Sequence, residues 1–112
     1  MPDRGATARV PVRALREGAR VTVPVGDRQV EVLKVDGEYE ARLLLCTHQG
    51  CPVAWDEDQR RYLCPCHEGV FDERGQPQYG PPTRPLLRLP LRVDGQDLLL
   101  SGDVPAISAE AG

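Results

Sequence analysis

The sequence predicts an all-β fold, a sandwich or barrel of short antiparallel strands, and three observations predict it. Valine recurs at every second position in Val21, Val23 and Val25, and again in Val30 and Val32, which is the period of a half-buried strand. Asp36-Gly37 and Asp94-Gly95 separate runs of this kind, and Asp-Gly between apolar runs is a two-residue hairpin signal. No segment keeps apolar residues at helical spacing over a useful length.

Taken in order, Met1 to Arg9 is polar and expected to fray. Val10 and Val12 can begin a strand, at a sheet edge because Pro11 has no N–H to donate. Leu15-Arg16-Glu17-Gly18 reads as a turn. Val21–Val25 and Val30–Val35 are two strands joined at Gly26-Asp27, and Asp36-Gly37 turns the chain into a third, Tyr39–Leu45. Asp56-Glu57-Asp58-Gln59 is a polar turn, followed by a short strand at Arg61–Leu63. Glu73-Arg74-Gly75 turns the chain again after Phe71. Gly80-Pro81-Pro82-Thr83-Arg84-Pro85 is a stiff, extended loop, because its prolines fix φ and remove donors. Leu87, Leu89, Leu91 and Val93 alternate with Arg88, Pro90 and Arg92 as a strand would, and Asp94-Gly95 leads into Leu98–Leu100. Residues 102–112 read as a tail.

The bulk numbers fit one small domain. There are 112 residues, eleven Gly and eleven Pro, and a net charge of −3. Such a chain buries roughly two-thirds of its unfolded surface, enough for a small core. Basic residues do not cluster: Arg84, Arg88 and Arg92 are spread along one segment and read as a solvated strand face, so nucleic acid is not an expected partner. Leu43–Leu45 and Leu98–Leu100 are the longest aliphatic runs, too short to span a bilayer. No charged-then-apolar leader stands at Met1. The chain as given is expected to be soluble, without a membrane segment.

All four cysteines and both histidines lie between Cys46 and His67. They form Cys46-Thr47-His48-Gln49-Gly50-Cys51 and Cys64-Pro65-Cys66-His67. The remainder carries no catalytic grouping, so function is argued from this stretch. It reads as a lobe of about 44–82 inserted into a β base of about 10–43 and 83–101. Cys-x-His and Cys-x-x-His offer two thiolates and two imidazoles at the tips of two loops, a set that suits iron, zinc or copper. A structural zinc site could draw four of the six groups; the Cys46–Cys51 spacing suits it and Cys64-x-Cys66 does not. Two disulfides without metal would leave the paired histidines unexplained. Trp55 and the tyrosines read as packing residues, and Glu68 as a solvated loop charge.

The two mixed pairs at this separation resemble the Rieske type of iron–sulfur protein, in which two histidines replace two cysteines on one iron. The resemblance implies a Rieske-like antiparallel β-fold with an inserted cluster-binding lobe and one [2Fe–2S] cluster. Cys46 and Cys64 would bind one iron, and His48 and His67 the other. It also implies a Cys51–Cys66 disulfide tying the loops, as in the quinol-oxidising Rieske proteins of cytochrome bc complexes; oxygenase-type ferredoxins usually lack that pair. Phe71-Asp72, the turn at Gly75, and Gly80-Pro81-Pro82 before Arg84-Pro85-Leu86 extend the likeness, the proline segment resembling a third loop that covers the cluster.

One departure is plain. High-potential members carry Gly-Ser-x-Tyr after the last histidine, with two hydroxyls donating at the cluster; here the places are Glu68, Gly69, Val70 and Phe71. That looks more like the menaquinol-oxidising bacterial members, although their N-terminal membrane helix is not seen in this chain. The resemblance implies one-electron transfer as a redox component of a quinol–cytochrome c oxidoreductase or a soluble relative. Its partners would be cytochrome b with quinol, and a cytochrome c. An exposed histidine ligand, His48 or His67, would accept the quinol's hydrogen bond and couple electron to proton transfer. The alternative is a free-standing Rieske ferredoxin supplying an oxygenase or an arsenite-oxidase-type enzyme. The first context places the chain on the extracytoplasmic side of a bacterial membrane, the second in the cytoplasm.

Overall fold

A computed structural model describes residues 7–47, 50–66, 68–80 and 84–101. Among the described residues, ten strands carry the fold: β1 (Thr7–Pro11), β2 (Arg20–Val25), β3 (Arg28–Val35), β4 (Glu38–Leu43), β5 (Ala54–Asp56), β6 (Arg61–Cys64), β7 (Gly69–Phe71), β8 (Pro77–Tyr79), β9 (Leu91–Asp94) and β10 (Asp97–Ser101). They form three antiparallel sheets, ordered β1-β10-β9, β2-β3-β4 and β5-β6-β7-β8. No α-helix occurs among the described residues, and no helix is long and apolar enough to cross a membrane. The all-β expectation holds.

The described chain forms two compact units. One contains residues 7–43 and 88–101 of the described chain, with the first two sheets. Its buried apolar residues include Val10, Val25, Val30, Val32, Leu43, Leu98 and Leu100. β2 is a half-buried edge strand, its valines more covered than Thr22 and Pro24, and Pro24 costs no ladder bond on an open edge. β3 is central and covered on both faces, so Glu31 is buried beside Val30, Val32 and Leu33. Alternation alone assigns Glu31 to solvent; the pairing register sets it opposite Arg42, which is buried too. Arg20 Nη1 donates to Glu31 Oε1 at 2.9 Å, and Arg42 donates through Nε and Nη2 to Glu40 Oε2 at 3.0 and 2.8 Å. Buried charges persist only when paired in this way.

The β3–β4 hairpin turns at Asp36-Gly37 with φ of +53° and +79°, the conformation that makes Asp-Gly favourable there. The Glu17 carboxylate accepts both turn amides, Asp36 N–H at 2.6 Å and Gly37 N–H at 2.9 Å.

Several expectations change. β1 begins at Thr7, because its register with β10 extends from Pro11 to Thr7; residues 7–9 are therefore paired rather than frayed. Val12 lies in a 3₁₀ turn, Val12–Ala14, instead of continuing the strand. The Leu87–Val93 alternation yields a strand only from Leu91, since Pro90 offers no ladder donor; Arg88 makes one isolated bridge to Arg42. β5, β7 and β8 are three-residue strands and were not anticipated beyond the position of Phe71.

Candidate metal centre

The second unit spans Leu44–Leu87 and holds the β5-β6-β7-β8 sheet. Two of its loops carry the cysteines. The first leaves β4 through Leu44 and Leu45 and is closed at its neck by Leu45 bridging Pro52 and by Val53 N–H donating to Leu44 C=O at 3.2 Å. Within it, Cys46 N–H donates to Cys51 C=O at 2.6 Å and Gly50 N–H to Cys46 C=O at 2.7 Å. These bonds bring Cys46 and Cys51 to the two sides of one tight loop, with Gly50 supplying φ of +77°, a value that glycine adopts readily.

The second loop joins β6 to β7. Cys64 ends β6 opposite Gly69, and Cys66 lies in the turn between them. Cys51 and Cys66 form a disulfide with Cα atoms 6.4 Å apart, inside the usual range for a bridge of about 4.4–6.8 Å. The pairing that the resemblance implied is therefore present. Cys46 and Cys64 stay out of it and are almost wholly buried, at 0% and 1% exposure.

Both sit in one apolar cluster with Val53, Tyr62, Phe71 and Leu86, against which Leu44, Cys51 and Trp55 pack. Trp55 meets Tyr62 edge-on, ring centroids 4.9 Å apart, so both act as packing residues. Asp72, after β7, holds the next turn: its Oδ1 accepts Arg74 N–H and Gln76 N–H, each at 2.9 Å. Gly75 C=O then accepts Leu86 N–H at 2.9 Å, which seats Leu86 in the cluster.

His48 and His67 lie outside the described residues, as do Gln49 and Pro81, Pro82 and Thr83 of the expected third loop. The residues present fit an iron–sulfur group. The disulfide consumes two of the four thiols, and the two left over are one per loop, buried in the same cluster. Thiolates are the ligands such groups take.

Comparison with known proteins decides the family. The model of the Rieske [2Fe–2S] domain matches residues 7–98. The chain belongs to the Rieske [2Fe–2S] domain family. It is 44% identical over 68 residues to the cytochrome bc1 complex Rieske iron–sulfur subunit of Corynebacterium glutamicum, a match that covers 58% of this chain and 17% of that protein. Among solved structures it is similar to the cyanobacterial plasma membrane Rieske protein of Synechocystis PCC 6803, with a TM-score of 0.59, 28% identity and coverage of 73% of this chain and 85% of that one. It is also similar to the ferredoxin of carbazole 1,9a-dioxygenase from Nocardioides aromaticivorans, with a TM-score of 0.57, 25% identity and coverage of 86% and 97%. The cofactor of this Rieske domain is a [2Fe–2S] cluster, and its function is one-electron transfer.

Sequence reasoning missed two residues of the Rieske lobe that the structure joins. Arg84 lies in no strand, as the loop reading of 80–85 has it and the strand-face reading of the arginines does not; its Nη2 donates to Thr47 C=O at 3.0 Å, and Thr47 Oγ1 donates to Arg84 C=O at 2.7 Å. No local signal reports a pair 37 positions apart.

Proposed function

We propose that this Rieske domain works as the electron-transfer head of a quinol–cytochrome c oxidoreductase, or as a soluble relative of one. The observation that carries the reading is the Cys51–Cys66 bridge, a feature of that branch in the resemblance. The likeness to a cytochrome bc1 Rieske subunit over 68 residues supports it. Cys46 and Cys64 hold one iron, and His48 and His67 hold the other. When bound, the [2Fe–2S] group supplies one reversible one-electron centre.

The chain's own residues bind and shelter it. Burial of Cys46 and Cys64 excludes water from the thiolate side. The bridge keeps the two ligand loops at one separation. Partners on this reading are a cytochrome b with its quinol and a cytochrome c. A disulfide persists in an oxidising compartment, which favours the extracytoplasmic side of a bacterial membrane.

The second reading, a ferredoxin feeding an oxygenase or oxidase, draws support from the likeness over 97% of the Nocardioides ferredoxin. Affinity purification of the tagged chain from its host's membranes tests the choice. Recovery of a b-type cytochrome supports the first reading; recovery of an oxygenase overturns it in favour of the second. The ligand set is tested separately: Cys46→Ser and Cys64→Ser abolish the cluster, and His48→Ala abolishes the Rieske spectrum. Retention of two irons in these variants overturns the assignment.

A further inference from the structure

Thr47 stands between Cys46 and His48 and is 1% exposed. Its hydroxyl donates to Arg84 C=O at 2.7 Å, while Arg84 Nη2 donates back to Thr47 C=O at 3.0 Å. The two bonds close a ring between chain segments 37 positions apart. The carbonyl that Arg84 holds is that of Thr47, the residue bonded in sequence to His48.

The same stretch of chain is tied down at its other described end. Gly80 has φ of +91°, and a Cβ built on it would lie 2.9 Å from Gly69 Cα and 3.1 Å from Glu68 C=O. The backbone before the proline segment thus abuts the residues just after His67, and the backbone after it is bonded to the residue just before His48.

We propose that Arg84 is a positioning residue for the cluster, acting through its reciprocal hydrogen bonds with Thr47 on the peptide that carries His48. It does two things. It restrains the first ligand loop against the segment that follows the prolines. It also sets a permanent positive charge one peptide from a ligand. Reduction adds one negative charge to the centre, and a nearby cation stabilises the reduced form more than the oxidised one. The inference rests on the reading of His48 as a ligand.

The test uses the purified full chain with its cluster, read by midpoint potential and by the electron paramagnetic resonance spectrum of the reduced form. Arg84→Gln keeps a long polar side chain at an exposed position and removes the charge. It lowers the equilibrium constant for reduction about threefold, which at 59 mV per tenfold is about 30 mV. Thr47→Val keeps the shape and removes the hydroxyl; it alters the spectrum, and Thr47→Ser restores it. If Arg84→Gln and Thr47→Val lower only the melting temperature, leaving potential and spectrum as in the unmodified chain, the two residues are structural and the proposal fails. His48→Ala separates the two ideas. A His48→Ala chain that keeps the Rieske spectrum removes the ligand reading and this inference with it. Loss of the spectrum there, with clamp variants indistinguishable from the parent, overturns the clamp alone.

Discussion

Glu68 holds φ of +54° immediately after His67. A side chain in that left-handed region costs roughly 1–2 kcal/mol, and glycine there costs little. Glu68→Gly therefore raises stability by up to about 1 kcal/mol, less than the full relief because glycine also loosens the unfolded chain; denaturant unfolding of the cluster-loaded protein reads it. Gly80 is the opposite case. Its φ of +91° disfavours a side chain, and a Cβ there would lie 2.9 Å from Gly69 Cα, so Gly80→Ala lowers stability by about 1–3 kcal/mol in the same measurement. Phe71 is fully buried in the cluster of apolar residues that includes Cys46 and Cys64. A tyrosine there would carry a hydroxyl into the neighbourhood of two thiolates. One net hydrogen bond is worth about 1 kcal/mol, and a tenfold change is about 59 mV for one electron. Phe71→Tyr accordingly raises the midpoint by several tens of millivolts. The unmodified protein, with Gly69 and Phe71 in place of two hydroxyls, is expected to have a midpoint near the middle of the Rieske span of about −150 to +300 mV. A redox titration of both proteins checks the two statements together.

Among the elements, the hairpins and the cysteine loops were legible in the sequence for different reasons. Asp36-Gly37 declares its turn because few dipeptides tolerate positive φ twice. The Cys51–Cys66 bridge was legible only through resemblance, since four cysteines alone allow three pairings. Strands β5, β7 and β8 were not legible, because three residues are too few to show a period of two. The Leu87–Val93 run misled for a related reason. Leu86 and Leu89 are both buried, and each is held by its backbone N–H donating to a distant carbonyl, Gly75 and Ala41, while Pro90 interrupts what alternation suggests is continuous. The burial of Glu31 and Arg42 was not legible, because it depends on the β3–β4 register that sets the two positions opposite each other. Two outcomes belong at this scale. Glu17→Ala leaves the two turn amides to water and lowers stability by about 1 kcal/mol, read by urea unfolding. The bridge spans a sequence separation of 15, for which chain entropy gives about 3 kcal/mol. Cys51→Ser therefore assembles its cluster but bleaches several-fold faster in chelator, and counting thiols in the denatured, unreduced parent finds the Cys46 and Cys64 pair alone reactive.

For the molecule as a whole, all four cysteines fall in the Leu44–Leu87 unit, while the other unit buries its own set of valines and leucines without them. Stability is then unevenly shared. Stripping the cluster exposes the amides of the Leu44–Leu87 unit to hydrogen exchange and leaves β3, β4 and β10 protected; exchange before and after chelation measures this directly. The bridge also limits which metals the lobe can hold. Reduced, the chain would present four thiols, and four thiolates are one of the sets that zinc takes, even though Cys64-x-Cys66 is a poor spacing for it. Joining Cys51 to Cys66 withdraws two of them and leaves one free thiol per loop. The bridge thus narrows the choice of metal, because with it formed no four-thiolate site can be made from this lobe.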